Sequence, residues 1–220
     1  MNPQLPDATC ARLANAIYDD DPAAWDHYDP GTDDLNVCWG FKRIDRFAVI
    51  SLRGSKVFED FVRDVYAIAD PDTDDVLGPV SPGFLAGMRE TWAKIKPLIR
   101  HGDDIVLTGH SLGAARARIL CALMSLEGWP PVQCTTFGEP RPGFSKLAGI
   151  IVNIPGKSFR NGNSKDHDLV TDVPVSILSE RYVHPKLLSL VCEPPTPDDV
   201  ASLGVFAWHS MGRYEAATTT

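Results

Sequence analysis

The chain has 220 residues, of which 44% are apolar and 23% charged, and its formal net charge is −8 at pH 7. This composition is typical of a globular protein with a sizeable core, and the length predicts one domain spanning residues 1–220. The pI near 5.2 and the absence of a Lys/Arg run argue against nucleic-acid binding and against electrostatic docking on anionic lipid.

Cysteine usage and the first residues bear on the cellular compartment. The five cysteines are odd in number and contain no CxxC pair, which predicts reduced and mostly buried thiols: Cys10, Cys38, Cys121, Cys134 and Cys192. The first residues show no positively charged start and no apolar stretch of the kind found in signal peptides. No segment approaches the ~18 apolar residues of a membrane span. We therefore expect a cytoplasmic protein, with release by a route that needs no signal peptide left open.

The first part of the chain predicts a helix followed by two strands. Apolar residues at helical spacing predict a helix over residues 7–18, and an acidic loop follows over residues 19–34. Residues 36–43 and 46–53 are strand candidates separated by a short polar break, as in a hairpin. Residues 56–66 then predict a short helix with one strongly apolar side.

The remaining elements alternate between helix and strand. After an acidic loop over residues 70–82, we predict helices over residues 83–100, 112–126 and 209–216, and strands over 105–108, 132–137, 157–160 and 187–191. Alternation of this kind indicates an α/β fold with a mostly parallel central sheet and helices on both faces.

Residues 109–113 read Gly-His-Ser-Leu-Gly and place Ser111 between a strand and a helix. This setting is typical of a nucleophile elbow, a sharp turn that exposes a reactive serine at the end of a sheet. Side chains at the two glycines would collide with the adjacent strand and helix. The alternative is a glycine-rich turn whose serine merely caps the helix.

A serine nucleophile needs a general base and a carboxylate that orients the base. In α/β-hydrolases both partners follow the serine, with the acid before the histidine. The residues alone leave several candidates open. The bases are His167, His184 and His209, and the carboxylates are Asp166, Asp168 and Asp172.

Four segments, taken in order, resemble the fungal-type (class 3) lipase family of α/β-hydrolases. Residues 49–55 end in an Arg-Gly-Ser turn, and residues 136–143 read Thr-Phe-Gly-Glu-Pro-Arg-Pro-Gly. Residues 168–174 resemble the family segment that bears the catalytic aspartate, and residues 209–214 resemble the one that bears the histidine. The resemblance extends over about three quarters of the chain and implies the α/β-hydrolase fold.

The resemblance also implies a chemistry, namely hydrolysis of carboxylic esters by a Ser-His-Asp triad. It selects Asp168 as the acid and His209 as the base for Ser111. Ser55 is then one oxyanion-hole residue, and the N–H of Leu112, which follows the nucleophile, is the other. No metal or cofactor is expected. The segment at residues 56–66 would be either a mobile lid or a helix packed on the domain.

Several functions stay open on the same fold and triad. The substrate is a small-molecule or lipid ester, and transient contact with a lipid interface is compatible with it. The alternatives are a feruloyl or acetyl esterase, a phospholipase, an acyltransferase, and a non-catalytic binding protein that retains the hydrolase fold. Neither the preferred chain length nor the oligomeric state follows from the sequence.

Overall fold

A computed structural model describes residues 3–31, 37–55, 72–163, 165–174 and 182–219. Within these residues the strands are β1 (His27–Asp29), β2 (Trp39–Ile44), β3 (Phe47–Leu52), β4 (Asp72–Asp74), β5 (Gly78–Val80), β6 (Asp104–His110), β7 (Gln133–Phe137), β8 (Ser158–Asn161) and β9 (Leu188–Val191). The helices are α1 (Asp7–Ala16), α2 (Pro82–Leu85), α3 (Met88–Ile95), α4 (Leu112–Leu126), α5 (Ser145–Ile151), α6 (Pro197–Leu203) and α7 (Met211–Thr219).

The main sheet of the described residues has seven strands in the order β1-β2-β3-β6-β7-β8-β9. From β3 to β9 neighbouring strands are parallel, whereas β1, β2 and β3 pair antiparallel. Strands β4 and β5 form a small separate antiparallel pair. The predicted α/β-hydrolase architecture with a mostly parallel sheet is therefore confirmed.

Helices cover both faces of the sheet because successive side chains of each strand point to opposite faces. In β3, Ala48 and Ile50 join a core with α3 and α4, whereas Phe47 and Val49 join a second core with α1 and α7. Every residue of β3 and β6 is buried. Strands that are buried along their whole length are expected in the middle of a sheet that is covered on both faces.

The elements closest to the Gly-His-Ser-Leu-Gly motif agree well with prediction. The hairpin forms as expected, with Trp39 opposite Leu52 and Ile44 opposite Phe47. Helix α4 has the predicted bounds, and Gly113 lies in its first turn. A Cβ atom at Gly113 would lie 2.1 Å from the carbonyl oxygen of Leu52, so only glycine lets α4 begin this close to the end of β3.

Other predictions were wrong in their boundaries. The predicted helix over residues 83–100 is divided at Gly87, which has a φ of 74°, so α2 and α3 are separate. Strands β1, β4 and β5 lie in segments predicted as loops, because these three-residue segments become strands only through pairing with a neighbour. Helices α5 and α6 were also missed. The predicted helix over residues 56–66 lies outside the described residues.

Two further expectations concern the chain as a whole. None of the helices in the described ranges combines the length and apolar composition needed to cross a membrane. All five cysteines are free, and all except Cys192 are buried, which agrees with the expectation of reduced and mostly buried thiols. That residues 1–220 form one domain stays a prediction.

Candidate active site

Ser111 lies in a strained turn at the carboxyl end of β6. Its φ of 58° and ψ of −129° fall in a region that residues with a side chain rarely adopt. Backbone hydrogen bonds hold the turn, from Ser111 N to the oxygen of Phe137 at 3.0 Å and from Ala114 N to the oxygen of Ser111 at 2.9 Å. The serine side chain makes no capping hydrogen bond to α4, so the helix-cap interpretation finds no support.

Asp168 follows β8 and is fully buried. Its backbone N–H donates to the oxygen of Asn161 at 2.8 Å. Its Oδ1 accepts the N–H of Val170 at 2.9 Å, which caps a short 3-10 helix. The second carboxylate oxygen, Oδ2, lies 2.7 Å from Nδ1 of His209 and accepts the hydroxyl of Tyr214 at 2.5 Å.

The pKa of Asp168 reflects these contacts. Burial alone would raise the pKa, but the charge of His209 and the hydrogen bonds from His209 and Tyr214 outweigh it, so the pKa lies below its ordinary value. Asp168 is therefore ionised at neutral pH. A buried carboxylate in this state orients the imidazole beside it and stabilises its protonated form.

Gly138, in the Thr-Phe-Gly-Glu-Pro segment after β7, gives the His209–Asp168 pair its space. A Cβ atom there would lie 2.7 Å from Cε1 of His209 and 2.8 Å from Oδ2 of Asp168. His209 is the last residue of the 3-10 helix Gly204–His209, which precedes α7. The sequence pattern predicted His209 as the first residue of α7. Strands β6, β7 and β8 thus deliver Ser111, Gly138 and Asp168 at the same edge of the sheet.

His110, which precedes the serine, is buried and stacks on the catalytic candidate His209. The two ring centroids lie 4.4 Å apart with 33° between the planes. Burial, followed by the nearby charge of His209, lowers the pKa of His110 to about 3. His110 is therefore neutral at physiological pH, so only one of the two stacked rings carries charge when His209 is protonated.

A pocket of about 500 Å³ opens onto these side chains. The described residues that line it are Asn15, Tyr18, Ser55, His110, Ser111, Leu203, His209, Ser210, Met211 and Gly212. Leu112 is the first residue of α4, where a backbone N–H has no acceptor within the helix. Ser55 reaches the pocket from the turn after β3. A separate pocket of about 600 Å³ around Phe41 and Arg43 contains none of these groups.

The other candidate bases and acids lie in different surroundings. His167 Nε2 lies 2.8 Å from Oδ2 of Asp172. Asp172 also forms an ion pair with Arg160, and the side chain of Asp172 is 40% exposed. His184 Nε2 lies 2.7 Å from the oxygen of Thr171. Asp166 is exposed in the loop that follows β8. None of these four residues is among the described residues that line the pocket with Ser111.

Comparison with protein families identifies the family of this chain. The profile of the family described as "Lipase (class 3)" matches residues 49–177, which include Ser55, Ser111 and Asp168. The chain belongs to the class 3 lipase family. This agrees with the resemblance found in the sequence.

Individual relatives of this class 3 lipase family member are distant. It is 28% identical over 145 residues to secreted mono- and diacylglycerol lipase 1 of Fusarium solani, covering 63% of this chain and 42% of the relative. It is 32% identical over 113 residues to secreted mono- and diacylglycerol lipase 2 of Gibberella zeae, covering 44% and 28%. The Rhizomucor miehei lipase propeptide complex superposes with a TM-score of 0.68 at 20% identity, covering 84% of this chain and 66% of that one. The chain thus spans less than half the length of these two curated relatives.

The expected cytoplasmic location was wrong. Relatives from Fusarium solani, Gibberella zeae and Penicillium cyclopium are named secreted lipases, which contradicts the expectation. The prediction rested on the absence of a leader-like stretch among the first residues.

The structure adds residues to the site that the sequence reasoning did not assign. Tyr18 and His110 line the pocket, Gly138 makes room for the histidine, and Asn161 supports Asp168 and Tyr214. The position of His110 beside the serine was a local signal. No local signal marked Tyr18 or Asn161, because their contacts are made with residues far away in the chain.

Replacing Tyr214 by Phe tests the buried support of Asp168. The hydroxyl of Tyr214 also accepts the backbone N–H of Asn161 at 3.0 Å, so its removal leaves a buried donor unpaired. We expect the free energy of unfolding to fall by about 1–3 kcal/mol in urea titrations. The matched control is Tyr28→Phe, whose hydroxyl bonds to Asp20 in an exposed setting. Equal losses in both variants would contradict the expectation.

Proposed function

We propose that this chain hydrolyses carboxylic esters of lipids through an acyl-enzyme formed on Ser111. One observation carries the proposal. His209, which is hydrogen-bonded to the buried and ionised Asp168, lines the same pocket as Ser111, and Ser111 lies in a strained turn at the end of a parallel strand. A general base that is oriented by a carboxylate and lies beside a serine in a nucleophile turn is the arrangement that acyl transfer requires.

In the proposed reaction, Oγ of Ser111 attacks the ester carbonyl carbon while Nε2 of His209 takes the hydroxyl proton. Asp168 accepts the Nδ1–H of His209 and stabilises the imidazolium. The tetrahedral intermediate collapses with breakage of the bond to the alcohol, which receives the proton from His209. Water then attacks the acyl-enzyme by the reverse proton path and releases the acid and free Ser111.

Two donors are proposed for the oxyanion of the tetrahedral intermediate. The backbone N–H of Leu112 is available because it begins α4, where the helix dipole also favours negative charge. Ser55 lines the pocket, and the family resemblance implies that it supplies the second donor. Loss of one such donor costs about 10²- to 10³-fold in turnover.

The substrate class follows from the relatives rather than from the pocket. Two curated relatives are named mono- and diacylglycerol lipases, so we propose acylglycerols with a free hydroxyl as substrates. The pocket presents the apolar side chains Leu203 and Met211 beside polar groups, which suits an acyl chain joined to a polar glycerol. No metal or cofactor takes part in the proposed steps.

Covalent labelling tests the proposed nucleophile. A fluorophosphonate probe should modify the native protein once, and peptide mass spectrometry should place the adduct on Ser111. Ser111→Ala should take no label, whereas Ser125→Ala, whose hydroxyl bonds to the oxygen of Cys121 on the same helix, should label like the wild type. An adduct elsewhere, or undiminished labelling of Ser111→Ala, would remove the basis of the proposal.

A substrate series tests the proposed specificity. Initial rates should be measured for monoacylglycerol, diacylglycerol and triacylglycerol emulsions, and for soluble p-nitrophenyl esters from acetate to palmitate. We expect the highest kcat/KM for the partial glycerides. Preference for acetate or feruloyl esters over every glyceride would show that the enzyme is an esterase of a different class.

A further inference from the structure

The hydroxyl of Tyr18 lies between two turns: the Gly54-Ser55 turn after β3, called the oxyanion turn, and the turn around Ser111, called the nucleophile turn. It is 3.1 Å from the backbone nitrogen of Gly54 and 2.9 Å from Nδ1 of His110. On the other side of the His110 ring, Nε2 lies 2.8 Å from the backbone oxygen of His209. A continuous line of hydrogen bonds thus connects Gly54 to His209, and Tyr18 and His110 form its middle.

The direction of every hydrogen bond in this line follows from simple chemistry. The backbone oxygen of His209 can only accept, so Nε2 of His110 carries a proton. Because burial keeps His110 neutral, with its pKa lowered to about 3, Nδ1 is an acceptor. The Tyr18 hydroxyl therefore donates to Nδ1, and its oxygen is left to accept the N–H of Gly54. One arrangement satisfies all the donors and acceptors.

Close packing leaves this line little freedom to shift. A Cβ atom at Gly54 would lie 2.3 Å from the Tyr18 hydroxyl, 2.8 Å from the backbone oxygen of His110 and 3.0 Å from Cβ of Ser111. The oxyanion turn, the tyrosine and the nucleophile turn are therefore in mutual contact. Catalytic groups lose much of their effect when displaced by even about 1 Å.

We propose that Tyr18 and His110 form a hydrogen-bonded bridge that sets the distance between the Gly54-Ser55 turn and the backbone of His209, and that both act as positioning residues for ester hydrolysis. The inference rests on the proposed function, in which Ser55, Ser111 and His209 take part in catalysis. Neither bridge residue exchanges a proton with the substrate. Tyr18 lies outside residues 49–177, so it is not part of the segment that defines the family.

Removal of the Tyr18 hydroxyl tests the bridge directly. Tyr18→Phe keeps the ring that lines the pocket but cuts the link to Gly54 and His110. We expect kcat for a p-nitrophenyl ester to fall about 10- to 100-fold, with KM changed less than about twofold. The matched control is Tyr182→Phe, since Tyr182 is a buried tyrosine that packs against Phe144 and is not among the described residues lining the pocket.

A double-mutant cycle adds a readout that a merely structural role would not give. If the two residues act as one bridge, His110→Gln should lower kcat by a similar factor, and the double variant should fall little further than either single one. Independent structural damage would instead multiply the two losses. Near-ultraviolet circular dichroism confirms that each variant is folded before its rates are compared.

The outcomes separate this inference from the proposed function. Unchanged kcat in Tyr18→Phe, a raised KM at unchanged kcat, an equal loss in Tyr182→Phe, or multiplicative losses in the cycle would each overturn the bridge. In all four cases Ser111→Ala would still be inactive. Retained activity in Ser111→Ala would instead overturn the proposed function itself.

Discussion

Replacement of Ser111 by Ala should lower kcat for a soluble p-nitrophenyl ester by about 10⁴- to 10⁶-fold. The expected size follows from the role proposed for the side chain, since without Oγ no acyl-enzyme can form. The turn itself should survive, because hydrogen bonds of the backbone hold it. The residual rate would come from water attacking an ester that is still bound beside the oxyanion donors.

Non-additivity distinguishes a catalytic unit from two separate contributions. His209→Ala should cost about as much as Ser111→Ala, and the double variant should lose little more than either single one. Rates should be measured at saturating substrate, with unfolding curves recorded for each variant. Ser125→Ala serves as the control on α4 and should keep the wild-type rate. Substantial turnover by Ser111→Ala would be incompatible with the proposed mechanism.

Replacement of Glu139 by Gln should cost about 3–5 kcal/mol of unfolding free energy. The side chains of Glu139 and Arg118 are both fully buried and form an ion pair at 2.9 Å. Arg118 also donates to Thr136 and Ser158 at 3.0 and 3.1 Å. The amide of Gln would fill the same space but leave the guanidinium charge without its partner inside the protein.

The pH dependence of the unfolding free energy tests the same carboxyl group, that of Glu139. Burial would raise the pKa of Glu139, but the charge of Arg118, followed by contacts with His184 and Ser158, lowers it to about 2 from the ordinary 4.5. A carboxylate with a lowered pKa in the folded state contributes stability that is complete above the unfolded pKa and is lost as the pH falls through the folded one. The wild type should therefore lose its advantage over Glu139→Gln between pH 4.5 and about 2.

An exposed ion pair provides the comparison. Glu127 pairs with Lys96 at the surface, where the two side chains are 48% and 42% exposed. Glu127→Gln should change the unfolding free energy by less than about 1 kcal/mol. Urea titrations at pH 7, 4.5 and 3 would measure both variants. Similar losses for Glu139→Gln and Glu127→Gln at pH 7 would show that burial of the Arg118 pair contributes little.

The predictable part of the fold was the part governed by local patterns. The apolar runs of β3 and β6 and the small residues after Ser111 predict strand, turn and helix from neighbouring residues alone, and the structure has them at nearly those bounds. Strand β1 has no comparable pattern, since its residues become a strand only by pairing with β2. The division of the predicted helix lies at Gly87, where a φ of 74° interrupts the helical backbone.

In the candidate site, too, some residues follow from local sequence patterns, whereas others are distinguished only by their surroundings in the fold. Choosing Asp168 over Asp172 depended on resemblance to a family, because the two carboxylates are equivalent as sequence. Their surroundings differ only after folding, when Asp168 lies buried beside His209 and Asp172 pairs with Arg160 at the surface.

The sequence by itself determined the serine turn of this class 3 lipase family member and the order of the elements around it. Those features depend on residues that are neighbours in the chain, such as glycines beside Ser111 and apolar runs on either side. Only the tertiary structure decided what surrounds Ser111. The contacts between Asp168 and His209, and between Tyr18 and His110, join side chains separated by 41 and 92 positions. Interactions over such separations form only when folding brings the short 3-10 helices that carry Tyr18 and His209 against the ends of the strands.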